Sequence, residues 1–183
     1  MSDPNSSILD ELPGELMIWV LIVSELLVFG AGLVAFMGVR ATDPALFAES
    51  QESLNRVAGA VNTIVLVTSG YFAAKAVLTA EASVRKTRIW LSGSFLLGVT
   101  FMVIKFMEYS EKTRLGIDIE TNEFFTFYYL LTGFHAMHVL AGLVIFAIVM
   151  TRPARHLVEA SAAFWHMVDL IWVLLFPIIY LVR

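Results

Sequence analysis

Long apolar blocks alternate with short polar ones along this chain, and the lengths of the apolar blocks carry most of the architectural information. Five of them, approximately Leu16 to Val39, Ala58 to Ala80, Ile89 to Tyr109, Phe124 to Met150 and Ala160 to Val182, are long enough to cross a membrane. The requirement is a hydrocarbon core of ~30 Å covered at a helical rise of ~1.5 Å per residue. Lipid offers a peptide backbone no hydrogen-bond partners, so each block is predicted to be a helix despite the glycines inside it. Between the blocks, residues 40–57 contain Asp43-Pro44 and room for a short surface helix, residues 110–123 are rich in Glu and Asp, and Arg152-Pro153 stops the fourth span. The prediction is an all-α integral membrane protein, a bundle of five transmembrane helices. Residues 1–14 form a short acidic N-terminal tail and residues 15–183 a single transmembrane domain. No internal repeat supports a transporter built from two matching halves.

Composition agrees: 58% of residues are hydrophobic and 15% charged, against an apolar share of ~45 to 50% in soluble domains. The net charge of -4 is spread over tails and loops, leaving no footprint for nucleic acid. Zero cysteines exclude disulfides, cysteine-ligated iron–sulfur clusters and thiolate metal sites. The tail has Asp3, Asp10 and Glu11 but no Lys or Arg, so the first apolar block is expected to remain in the mature protein. With five spans the two ends lie on opposite sides. Arg85, Lys86, Arg88, Arg152 and Arg155 fall on the N-terminal side, and Arg40, Arg56, Lys112, Arg114 and Arg183 on the other, a near tie that slightly favours a cytoplasmic N terminus.

Candidate chemistry resides in the polar residues inside the spans. Glu25, His135, His138, His166 and Asp169 all fall at middle depth, where an unpaired Asp costs roughly 2.5 to 3.5 kcal/mol on insertion scales. They are predicted to share one intramembrane polar network. His135 and His138 at i, i+3 invite a metal or haem, but carboxylates and hydroxyls such as Glu25, Asp169 and Thr132 can satisfy neutral imidazoles without one. Lys105 and Glu108 lie near the end of the third span, where an intrahelical ion pair or snorkelling accounts for them. Phe124, Phe125, Phe127, Tyr128 and Tyr129 read as interfacial anchors, and Trp165 and Trp172 as a packing stripe along the last helix. Asn62, Glu108, Trp165 and Trp172 are candidate lipid or packing contacts. Pro177 is expected to kink the last helix at its end.

Two stretches carry a family resemblance. Phe127-Tyr-Tyr-Leu-Leu-Thr-Gly-Phe-His-Ala-Met-His-Val-Leu-Ala-Gly142, then Ala163-Phe-Trp-His-Met-Val-Asp-Leu-Ile-Trp172 and Tyr180-Leu181, resemble the last two helices of subunit III of haem-copper oxidases. Ser24-Glu25 with Phe29, Val61-Asn-Thr with Ser69-Gly70, and Leu97-Gly98 through Glu108-Tyr109 resemble the preceding helices in order. The pattern departs at Ala136, where the family usually has Gly, at Lys105, where it has Gln, and around Lys75, Val77 and Leu78, where the mitochondrial type has a tryptophan and paired histidines. Beginning directly at the Ser-Glu helix, the chain resembles the five-helix branch. The Pro13-Gly14-Glu15 lead-in to Ile18-Trp19 and the Glu25-Leu-Leu-Val-Phe29 pattern look most like the subunit-III-like protein associated with nitric oxide reductase.

The resemblance implies a non-catalytic accessory subunit of a respiratory haem-copper-type complex, nitric oxide reductase ahead of cytochrome c or quinol oxidase. It also implies phospholipid between the helices, support for proton uptake, and haem or non-haem metal only in the catalytic partner subunit. The location implied is a bacterial inner membrane, N terminus cytoplasmic and C terminus periplasmic. Two other readings stay open on the residues alone: a free-standing proton-coupled channel or carrier using Glu25 and Asp169, and a haem or metal protein using His135, His138 and His166.

Overall fold

The computed structural model describes residues 16–182. Those residues form α1 (Leu16–Thr42), α2 (Pro44–Glu52), α3 (Arg56–Thr79), α4 (Val84–Arg114), α5 (Glu123–Thr151), α6 (Arg155–Phe176) and a terminal π-helical turn (Pro177–Leu181). No strand occurs among them, and five helices are long and apolar enough to cross a membrane, the last one including the π turn. The acidic tail expected at residues 1–14 lies outside the described residues.

Local signals set the helix starts. The side chains of Asp43, Asn55, Ser83 and Asn122 each accept a backbone N–H from the first turn of α2, α3, α4 and α5, and Pro44 opens α2 with its φ already helical. At the far end of α4, Gly116 takes φ 73°, so that Ile117 N–H reaches back to the Lys112 carbonyl and Gly116 N–H to that of Thr113. This left-handed cap closes a helix running 31 residues.

α6 is the centre of the bundle. It packs against α3, α5 and α1, while α4 closes the opposite side between α3 and α5. Trp165 and Trp172 on α6 are fully buried, and Trp165 lies over Gly98 and Gly142, where added methyl groups would come within 2.7 and 2.5 Å of its ring. Each hydroxyl of Ser69 and Ser94 bonds the other residue's carbonyl, at 2.8 and 2.9 Å, fastening α3 to α4. α1 contributes one buried stripe, Ile22, Phe29, Leu33 and Phe36, and is otherwise largely uncovered.

Two expectations need correction. The segment after α1 is not simply a surface helix: Phe47, Ser50 and Gln51 of α2 are buried, and Phe47 meets Phe36 and Phe124 at ring-centroid distances of 5.3 and 5.6 Å. Phe124, Phe125 and Tyr128, expected as interfacial anchors, are buried packing residues. Hydropathy places an aromatic at a helix end but says nothing of which way it faces. Pro177 acts at the expected place, and the chain answers with a π turn in which Val182 N–H bonds the Pro177 carbonyl at 2.9 Å.

Candidate functional site

The most fully connected polar group in the structure lies between α4, α5 and the terminal turn. Lys105 directs its ammonium to Glu108 Oε2 at 3.0 Å, Tyr180 Oη at 2.6 Å and Tyr128 Oη at 3.1 Å, so that all three donors are used. Tyr180 in turn donates to Glu108 Oε1 at 2.8 Å. Beside them, Thr132 Oγ1 donates to the Tyr128 carbonyl at 2.5 Å and is left to accept from Tyr109 Oη at 2.6 Å. The rings of Tyr109, Tyr128, Trp172 and Tyr180 surround the ammonium, with centroids 4.7 to 5.4 Å away.

This corrects the expectation that Lys105 and Glu108 sit near a helix end. α4 runs on to Arg114, so the pair lies more than one turn deeper than hydropathy suggested, and both residues are buried. Snorkelling is not the explanation. Glu108 also borders a groove of about 670 Å³ between the start of α3 and the end of α4, shared with Asn55, Ala58, Met107 and Arg114.

The five residues expected to form one network are divided among three places. Glu25 on α1 meets His138 on α5, Oε2 to Nε2 at 3.1 Å. His138 Nδ1 lies 2.9 Å from the Phe134 carbonyl, which can only accept, so Nδ1 carries a proton. Glu25 Oε2 has no partner of hydrogen-bond geometry among the described residues, so the two groups meet as a close polar contact.

The second place holds His166 and Asp169 on α6, Nδ1 to Oδ2 at 3.8 Å. Asp169 is pressed against α3 at Gly70, where any Cβ would collide with its carboxylate. Its Oδ1 is buried without a hydrogen-bond partner among the described residues. His166 lines an apolar groove of about 680 Å³ bounded by α1, α3 and α6, together with Trp19, Leu26, Val77, Glu159 and Met167.

His135, third, is fully buried against Phe101 and Trp172. The division has a simple cause. Residues three apart on a helix differ by about 60° in direction, so His135 faces the bundle centre while His138 faces α1. Similar depth does not bring side chains from different helices onto one azimuth. The three imidazoles do not converge, and among the described residues no three His, Cys, Asp or Glu side chains are placed to hold a metal.

The other singled-out residues have internal partners. Asn62 reaches the Phe101 carbonyl at 3.5 Å, Trp165 Nε1 donates to Ser69 Oγ at 3.0 Å, and Trp172 Nε1 to Thr63 Oγ1 at 3.0 Å. The roles of Lys105, Tyr128 and Tyr180 as one cluster went unread in the sequence. The available signal was an i, i+3 charge pair inside an apolar block, with a lysine where the resembling family has glutamine.

A family model described as cytochrome c oxidase subunit III matches residues 14–182. The chain belongs to the cytochrome c oxidase subunit III family. Cytochrome c oxidase subunit 3 of Corynebacterium diphtheriae is 34% identical over 176 residues, covering 90% of this chain and 86% of the relative. The probable cytochrome c oxidase subunit 3 of Mycobacterium tuberculosis is 31% identical over 171 residues, covering 88% and 84%. For the cytochrome c oxidase subunit 3 of Synechocystis the figures are 29% over 174 residues, 87% and 72%. This subunit III family supplies non-catalytic accessory subunits of haem-copper oxidoreductase complexes, and the present member is a multi-pass membrane protein of that kind. The preference for the nitric-oxide-reductase-associated branch gains no support from these relatives, all of which carry the oxidase name.

Proposed function

We propose that this subunit III family member docks on the catalytic subunit of a respiratory haem-copper complex and supports its assembly, with the His166–Asp169 face of α6 in or beside the contact. The observation that carries this reading is a half-exposed imidazole at mid-depth, bordering an apolar groove next to a buried carboxylate oxygen without a partner. Exposed polar groups at that depth are costly toward lipid and are expected to face a subunit or a cavity. Phospholipid in the remaining grooves, proton uptake through the Glu25–His138 pair, and a cytoplasmic N terminus with a periplasmic C terminus belong to the same proposal.

For the catalytic partner, nitric oxide reductase is the finer reading, supported by the Glu25-Leu-Leu-Val-Phe29 pattern and by the Pro13-Gly14-Glu15 sequence ahead of it. The oxidase names of the relatives favour the alternative, an oxidase. Purifying the tagged chain from its own membrane in mild detergent tests both levels. A haem-containing partner is expected, and its identity by mass spectrometry and optical spectrum chooses reductase or oxidase. Repeated isolation with no haem protein overturns the docking proposal.

A further inference from the structure

Indole and phenol are the two most easily oxidised rings among the side chains, and one of each meets where α6 runs into the terminal turn. The ring centroids of Trp172 and Tyr180 are 6.3 Å apart, and both residues are fully buried. The hydrogen bonds around Tyr180 have a definite direction. Its hydroxyl donates to Glu108 Oε1 at 2.8 Å, while Lys105 donates to the hydroxyl oxygen at 2.6 Å and to Glu108 Oε2 at 3.0 Å. Trp172 is bonded differently. Its indole N–H donates to the Thr63 hydroxyl at 3.0 Å, a far weaker base than a carboxylate.

That difference decides where an oxidising equivalent comes to rest. A tryptophan that loses an electron with no base at hand keeps its N–H proton and stays a radical cation. A tyrosine can reduce that cation only if the phenolic proton leaves with the electron, so a proton acceptor within hydrogen-bond reach is the requirement. Glu108 Oε1 meets it for Tyr180, and Lys105 stays bonded to the phenol oxygen on which the radical forms. Trp165 has no such arrangement. It is equally buried, but its ring packs on Phe146 at a centroid distance of 4.9 Å, a ring much harder to oxidise, and its N–H goes to Ser69.

We infer that Trp172, Tyr180 and Glu108 form a one-electron redox relay, in which Tyr180 reduces an oxidised Trp172 and passes its phenolic proton to Glu108. The step balances within the three residues. One electron moves from the phenol to the indole radical cation, the O–H bond of Tyr180 breaks, and the O–H bond of a Glu108 carboxylic acid forms. The indole loses its positive charge as the carboxylate loses its negative one. The oxidant that starts the relay is of the radical class, a lipid peroxyl or hydroxyl radical formed in the membrane, and it is reduced as it takes the electron from Trp172. A quinol or thiol reductant ends it by returning an electron to Tyr180 while Glu108 returns the proton. Oxidation is thus held on a phenoxyl that can be repaired rather than on an indole that would be consumed. The relay is complete within this chain, whichever catalytic subunit the chain serves.

The test is ultraviolet laser photoionisation of the full-length chain in lipid nanodiscs, at the red edge where tryptophan alone absorbs, because light removes an electron from an indole however deeply it is buried. A phenoxyl absorption is expected to grow as part of the indolyl absorption decays, at a rate independent of protein concentration. Tyr180→Phe, checked for folding by its unfolding midpoint, should lower the phenoxyl yield severalfold, and Trp165→Phe should leave it unchanged. After illumination in air, mass spectrometry of the unaltered protein should find Trp172 oxidised several times less than Trp165. Equal oxidation of Trp165 and Trp172 in the unaltered protein overturns the inference without requiring any variant to fold. An undiminished phenoxyl yield in folded Tyr180→Phe overturns it as well.

Discussion

Lys105–Glu108 and His166–Asp169 are both acid–base pairs three residues apart inside a membrane span, yet the two are built on opposite plans. The first pair is buried from both sides, its side chains 2% and 3% exposed, and the ammonium has all three donors engaged. The second is separated by 3.8 Å, its imidazole is 47% exposed, and one carboxylate oxygen is left without a partner. A charged group in a bundle can be stabilised by saturating it within the chain. It can also be left incomplete where another molecule finishes the job. On this comparison the Lys105 cluster is completed within the chain, and the His166 pair is the one we propose for assembly.

The largest test of the contrast removes one half of the saturated pair. Lys105→Met leaves the Glu108 carboxylate buried without its cation and is expected to cost about 3 to 5 kcal/mol of stability. The measurement is thermal unfolding in detergent or nanodiscs. Adding Glu108→Leu should recover most of the loss, since replacing a whole buried pair by apolar groups is far milder than breaking it. No recovery would mean that the cluster does more than neutralise charge.

Gly70→Ala comes next. Its methyl group meets the Asp169 carboxylate, and overpacking of this sort costs about 1 to 3 kcal/mol. The effect should shrink in an Asp169→Ala background; an unchanged cost would locate the strain elsewhere. Tyr180→Phe is expected to be smaller, about 1 to 2 kcal/mol, because hydrogen bonds between membrane helices contribute modestly. Its unfolding midpoint should therefore fall between those of the unaltered protein and Lys105→Met. Smallest in stability is Asp169→Asn, which keeps the shape of the side chain. Its unfolding midpoint should barely move while the yield of co-purified haem partner falls, and intact assembly with lost turnover would reassign the pair to chemistry.

The same contrast explains what the sequence made legible. Five spans were readable because block length alone identifies them. Helix ends were not, since polar first and last turns look like loop on a hydropathy scale. α4 begins at Val84 rather than Ile89 because Ser83 caps it, and it ends at Arg114 rather than Tyr109 because Gly116 closes it there. That error at the C-terminal end is what made Lys105 look like a snorkelling residue. Glu25, His135, His138, His166 and Asp169 were identified individually, as were Trp165 and Trp172 of α6. Their grouping was not, because it depends on the rotation of each helix about its own axis, which the facing helices determine through contacts such as Trp165 over Gly98 and Gly142.

One contact made by α2 has a consequence for how the protein is produced. Gln51 Nε2 donates to the carbonyls of Ile179 and Val182, at 2.7 and 2.9 Å, partners 128 and 131 residues further along the chain. On a ribosome feeding residues into the membrane from the N terminus, α1 and α2 are in place long before those carbonyls exist. The buried face of α2 must wait without these partners until residues 179–182 have emerged. Final closure of the bundle must therefore follow the arrival of residues 179–182, and the complex can receive this subunit in finished form only after that.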